Sequence, residues 1–192
     1  MQQSGGLLPA DPLLSPKCCD RVFILVRQLE FVGVLEMVFR PSKEMKVSVL
    51  PAQEKQLSSK DKIKTACEHD NVLAFDIYAE DLLIGFVMVR KFDEHCYFLW
   101  NYAIDCKYQN RNYGTTALYA FIRFMKEKYN MEEMTTTYIW GNEHAKHIYE
   151  KVGFTETDVV DEDDCHEVNM VNYCCQIPIC LNVFDRIGRG DY

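Results

Sequence analysis

Residues 97–154 constrain the fold more than any other stretch: YFLWNYAIDCKYQNRNYGTTALYAFIRFMKEKYNMEEMTTTYIWGNEHAKHIYEKVGF. An apolar, strand-like run from Tyr97 to Asp105 breaks at a polar loop, Gln109 to Gly114. A long amphipathic segment follows, Gly114 to Tyr129. Its Ala117, Leu118, Phe121, Ile122 and Met125 fall on one helical face, with Arg123, Lys126 and Lys128 away from it. Met134 to Trp140 is strand-like by its threonines and aromatics. Asn142 then caps a short helix, Glu143 to Val152, that Gly153 ends. A strand, a donor-rich loop and a helix start form a cradle for a diphosphate, because the first N–H groups of a helix have no intrahelical acceptor. Gly114 permits close approach to such an anion, whereas Asn112 and Tyr113 are bulkier.

The rest of the chain supplies a sheet around this unit. Its 192 residues, 48% of them hydrophobic, suffice for one well-filled domain. Residues 1–17 carry three prolines and read as a tail, 18–180 as the domain and 181–192 as a second tail. Arg21 to Arg27 reads as a strand, and Leu29 to Arg40 has helical apolar spacing. Val47 to Leu50 is a short strand or a connector, and Pro51 to Leu57 is polar. A serine, Ser58 or Ser59, caps a helix over Lys60 to Glu68. Val72 to Tyr78 and Leu82 to Val89 flank a tight turn as a hairpin, and Tyr97 to Asp105 continues the meander. Phe154 to Val160 and Val168 to Cys175 form a last antiparallel pair around an acidic loop, Asp161 to Asp164. The expected class is α/β in the broad α+β sense: one mixed, mostly antiparallel sheet with helices on both faces.

A net charge of −8 argues against nucleic-acid binding, which needs a basic face, and suits a cationic partner. The nine cysteines are odd in number and form no C-x-x-C pair, so neither a disulfide framework nor a metal site is expected. The first residues lack a basic stretch followed by an apolar core, and no apolar run spans a bilayer. A cytoplasmic protein with reduced thiols is the expectation.

The two motifs of the opening stretch occur together. Gln109-Asn110-Arg111-Asn112-Tyr113-Gly114 is followed by Asn142, Ala145, Tyr149 and Gly153-Phe154. Asn142 and Tyr149 lie about two helical turns apart, on one side of the helix. This pairing resembles the GCN5-related N-acetyltransferase (GNAT) superfamily, whose pyrophosphate loop runs Gln/Arg-x-x-Gly-x-Gly/Ala. The strand Tyr97 to Asp105 with Tyr108-Gln109-Asn110 is similar in flavour to bacterial-type diamine and spermidine acetyltransferases. Two departures stand out. Asn112 replaces the first loop glycine, and no carboxylate stands near Trp100, where some polyamine acetyltransferases carry one.

The resemblance implies acetyl-CoA as co-substrate, no metal, and direct transfer to a primary amine within a ternary complex. Backbone groups of Tyr102, Ala103 and Ile104 would meet the pantetheine arm, and an N–H near Ala103 or Ile104 the oxyanion. Gln109, Asn110, Arg111, Asn112, Tyr113, Gly114 and Thr115 would hold the pyrophosphate. Asn142 and Ala145 would border the pantetheine, and Tyr149 would give the departing thiolate its proton. The acceptor expected is a small amine or polyamine, with Trp100, Asp161 and Glu162 on its side and Phe98, Tyr102 and Trp140 as further aromatic candidates. For the general base, His95, Asp105, Glu143, an acid of 161–164 and a water chain stay open. So do two other functions: acetylation of a protein lysine or N-terminus, and a weakly catalytic CoA-binding regulatory module. A homodimer through the last strands is compatible with this fold.

Overall fold

The computed structural model describes residues 36–163 and 165–173. Seven strands form one sheet: β1 (Met37–Pro41), β2 (Val72–Ala79), β3 (Leu82–Lys91), β4 (Cys96–Ile104), β5 (Glu133–Ile139), β6 (Thr155–Glu162) and β7 (Cys165–Tyr173). Their order is β1-β2-β3-β4-β5-β7-β6. Every neighbouring pair is antiparallel except β4 with β5. Among the described residues the helices are α1 (Pro51–Glu54), α2 (Lys60–Ala66), α3 (Tyr113–Tyr129) and α4 (Glu143–Lys151), with a 3-10 turn at Cys106–Tyr108. The parallel β4–β5 step needs a crossover, and α3 provides it.

Helices cover both faces. On one, Ile63 and Ala66 of α2 pack with Ala74, Phe86, Met88 and Ala103 of the sheet. On the other, α3 buries Ala117, Leu118, Phe121, Ile122 and Met125, the face its sequence periodicity marks. Phe121 and Phe124 of α3 meet the ring of Phe75 at 5.8 and 5.3 Å. Asn130 ends α3 in the left-handed region at φ 52°, a conformation asparagine tolerates better than most residues. Among the described residues, no helix is long and apolar enough to cross a membrane.

Three local expectations change. The strand Arg21 to Arg27, both tails and most of the helix Leu29 to Arg40 lie outside the described residues. Where that helix would enter them, the chain is instead strand β1, paired with β2 from Met37↔Ala79 to Pro41↔Phe75. Five residues carry too little periodicity to separate the two states, and pairing decides. The ring of Phe39 settles on Phe121 and Phe124 at 5.3 and 5.0 Å. Val47 to Leu50 is a connector, and the polar stretch after it contains α1. Asp161 and Glu162 are not loop residues: they close β6, paired with His166 and Cys165.

Candidate functional site

Strand β4 has two unlike halves. Tyr97 to Leu99 pair with β3 on one edge and with β5 on the other, ending at Leu99↔Thr136. Beyond that point β4 and β5 part. Asn101 to Ile104 keep β3 as partner, and Thr137 to Ile139 keep β7, but the two strands no longer meet. The Thr136 hydroxyl donates to the Leu99 carbonyl at 3.1 Å and pins the point of divergence. The result is a fork that opens toward the C-terminal ends of two parallel strands. Asp105 donates its N–H to Ile84 of β3, so by strand alternation Ala103 also faces β3. Tyr102 and Ile104 therefore present their backbone polar groups to the gap. Gln109 already occupies the Ile104 carbonyl, its Nε2 donating at 2.8 Å.

Trp100 sits where the β3–β4 register shifts: Met88 opposes Asn101 and Val89 opposes Leu99. This bulge changes which residues face which layer. Before it, Tyr97 lies on the α3 side, near Tyr129. After it, Tyr102 and Ile104 do, beside Gly114, while Ala103 joins the α2 core. Simple alternation across Tyr97 to Asp105 is therefore broken at Trp100, which stays 37% exposed. Phe98 pairs with exposed Phe92 at 6.0 Å, and Trp140 is largely exposed past the end of β5.

The loop after β4 is held from outside its own backbone. Asp105 accepts N–H bonds from Ser48 and Lys107, both at 3.0 Å, and caps the 3-10 turn. The Gln109 amide pairs with the Gln53 amide, donating to it at 2.9 Å. Asn110 and Asn112 both have φ 60°. Asparagine tolerates this left-handed conformation, which is how the loop survives without its first glycine. Helix α3 starts at Tyr113, one residue earlier than its sequence suggests, and the Asn112 side chain makes no cap bond. No residue from 109 to 115 donates its backbone N–H to a backbone carbonyl in a described turn or loop contact. Arg111 adds an exposed positive charge. A Cβ on Gly114 would stand 3.3 Å from Ile148 of α4 and 3.9 Å from Ile104. Its lack of a side chain thus serves the close approach of the start of α3 to Ile148 of α4.

Helix α4 borders the other bank. Asn142 caps it, Oδ1 accepting from the Ala145 N–H at 3.2 Å, and its Nδ2 donates to Gln56 at 2.7 Å. Tyr149 lies with its hydroxyl by the Thr136 side chain at the point of divergence, its ring 5.5 Å from Phe154. Burial raises the Tyr149 phenol above its ordinary value, and Thr136 offsets part of the rise. Tyr102 donates to the Gly114 carbonyl at 2.5 Å. Burial and the neighbouring Tyr149 push its phenol well above the ordinary range. Both phenols thus remain protonated donors at neutral pH. Gly153 follows the helix at φ 96°, the left-handed stop that a glycine provides.

The structure does not bring the base candidates into the fork. His95 precedes β4 at its closed end and meets the Asn130 carbonyl at 2.8 Å. Burial pulls the Asp105 pKa up, but the Ser48 and Lys107 N–H groups outweigh it and leave the carboxyl below its usual value. Asp105 is thereby a turn cap rather than a base. Glu143 is on the exposed side of α4 with His144, His147 and Glu150. Asp161 is bonded to His166 at the end of the edge strand β6, with β7 between it and β5. Exposed Glu162 is its neighbour. Asp164 lies outside the described residues. Among the described residues, no group of three metal-ligating side chains occurs. Sequence reasoning missed Thr136, Gln53, Gln56 and Asn101, whose partners are far away in the chain.

Residues 23–154 match the acetyltransferase (GNAT) family, and the chain belongs to that family. No curated protein matches its sequence. Many solved structures share its fold, and three of them illustrate the low identity. A GNAT family acetyltransferase from Elizabethkingia anophelis, with acetyl-CoA bound, is 16% identical over 71% of this chain and 97% of its own, with a TM-score of 0.55. A chimera of spermidine N-acetyltransferase from Vibrio cholerae gives 14%, 71%, 95% and 0.57 in the same order. An aminoglycoside acetyltransferase in complex with coenzyme A gives 12%, 73%, 96% and 0.58.

Proposed function

We propose that the protein is an acetyl-CoA-dependent N-acetyltransferase that passes the acetyl group directly to a primary amine, a small amine or a polyamine. The observation that carries this reading is the half-open β4. A strand edge with unpaired polar groups takes an extended amide-bearing chain as an added strand, and pantetheine is such a chain. The fit extends to both ends of the fork. The free N–H groups of Asn110 to Thr115, with Arg111, suit a diphosphate. The close packing at Gly114 keeps those donors beside β4.

Bound there, acetyl-CoA supplies an acetyl group activated as a thioester. The chain's own residues then have separate tasks. The Tyr102 N–H, the deeper of the two in the fork, stabilises negative charge on the acetyl oxygen, in place of Ala103, whose N–H faces β3, and the Ile104 N–H, about 7 Å further out, meets the pantetheine arm. Asn142 and Ala145 border the pantetheine side. The Tyr149 hydroxyl donates to the departing sulfur, and its raised pKa keeps it a donor throughout the neutral range. An alkyl ammonium must lose a proton before it attacks. With Asp105 committed as a cap and His95 at the closed end, that proton leaves through water. No thiol intermediate is needed: Cys96 is pushed up by burial and nearby carboxylates, away from thiolate character.

A polyamine acceptor is supported by the net charge of −8, which attracts cations to the protein as a whole. Trp100, exposed at the fork, offers a surface for its methylenes. The test is release of free CoA with a panel of spermidine, putrescine, lysine peptides and N-terminal peptides. Turnover with the polyamines is expected. Turnover with peptides alone would overturn the acceptor assignment, and no turnover with any amine would favour a binding module.

A further inference from the structure

Three side-chain contacts tie the segment Gln53 to Ser58 to three sides of the fork. Gln53 pairs with Gln109 of the loop. Asn101 of β4 accepts the Ser58 N–H at 2.8 Å and donates to its hydroxyl at 3.3 Å. Gln56 accepts from Asn142 Nδ2 at 2.7 Å. Asn101 is on the β4 bank and Asn142 on the α4 bank. The chain from Gln56 to Ser58 therefore straddles the gap between them as a strap.

We infer that Gln56 is a positioning residue for Asn142, and through it for the cofactor arm; this rests on the acetyl-CoA reading above. The Asn142 amide has one acceptor and two donors. Its oxygen is used by Ala145 N–H, and one N–H by Gln56. That leaves one N–H, held in a single orientation, for a carbonyl on the pantetheine arm. Without Gln56, the amide is tethered only through its oxygen, and binding must immobilise it. Gln56 acts here only as an acceptor, through Oε1, so a carboxylate in its place would serve. Asn101, only 2% exposed, keeps the strap seated while Gln56 stays at the surface.

The test measures acetyl-CoA affinity directly, by fluorescence of the two tryptophans, Trp100 and Trp140, both beside the fork. Gln56→Met keeps length without an acceptor and should weaken binding about fivefold, the scale of one net hydrogen bond. Gln56→Glu should stay within about twofold of wild type by the same reasoning. The melting temperature and kcat should not move with Gln56→Met, while KM for acetyl-CoA rises. In an Asn142→Ala background, Gln56→Met should have no further effect. Wild-type affinity in Gln56→Met, or a full further loss in the Asn142→Ala background, overturns the role of Gln56 alone. Failure of the wild-type protein to bind acetyl-CoA overturns the cofactor reading with it.

Discussion

The two halves of β4 are built from similar residues and do different work. Tyr97 to Leu99 are paired on both edges, and their side chains alternate into packed layers. Asn101 to Ile104 are paired on one edge, and their surroundings are amide and hydroxyl clasps. The first half shares in the stability of the sheet. The second is held in place by side chains, and its outer edge has no strand partner. The bulge at Trp100 and the Thr136 hydroxyl mark the border. A strand can thus be bound on both edges over one half and on one edge over the other, provided its neighbour diverges at a fixed residue.

The contrast can be broken at several points. Tyr149→Phe, at the open half, should lower kcat at least about tenfold while acetyl-CoA affinity stays unchanged, because a general acid contributes through its proton. Single-turnover rates beside binding titrations check this. Lys46→Met should act only on stability. It strips the ammonium, 2.6 Å away, from Asp76, which is 3% exposed in β2. The loss should be about 2 kcal/mol in urea unfolding, less than for a fully buried pair, because Lys46 is half exposed. Asn112→Val forces a β-branched residue to φ 60° and should cost about 1–2 kcal/mol. Acetyl-CoA binding should weaken in step, whereas Asn112→Gly should bind at least as well as wild type.

Smaller effects sharpen the border. Thr136→Val removes the bond to Leu99 and should destabilise by about 1 kcal/mol. The pH dependence of kcat has a definite sign. The Tyr149 pKa is raised, so its protonated form persists below the ordinary tyrosine value of 10.0 and is lost only above it. No loss of kcat from this group should appear at neutral pH, and Tyr149→Phe should remove the alkaline limb from the lowered profile.

The sequence reveals what depends on near neighbours. The α3 face, the Asn142 cap and the Gly153 stop each rest on spacing within one helix, and each is where the residues place it. The break between strand and helix at Gln109 to Gly114 was legible too, because polar residues and a glycine interrupt two apolar patterns. The fork was not. It depends on how far β4 and β5 stay paired, and nothing in Tyr97 to Asp105 states where the bulge falls. The strap was hidden more deeply. Ser58 and Asn101 are 43 positions apart, Gln56 and Asn142 are 86, and polar residues in a surface segment carry no mark of their partners. Asp105 misled in the opposite direction: a carboxylate beside the loop suggests a base until two N–H groups are seen to hold it.

Hydrogen exchange along β4, measured with and without acetyl-CoA, tests the account most directly. Slowed exchange is predicted at the Tyr102 and Ile104 amides and across Asn110 to Thr115. Tyr97 to Leu99 should stay as slow as in the free protein. Unchanged exchange at Tyr102, Ile104 and the loop under saturating acetyl-CoA would contradict the fork as its seat.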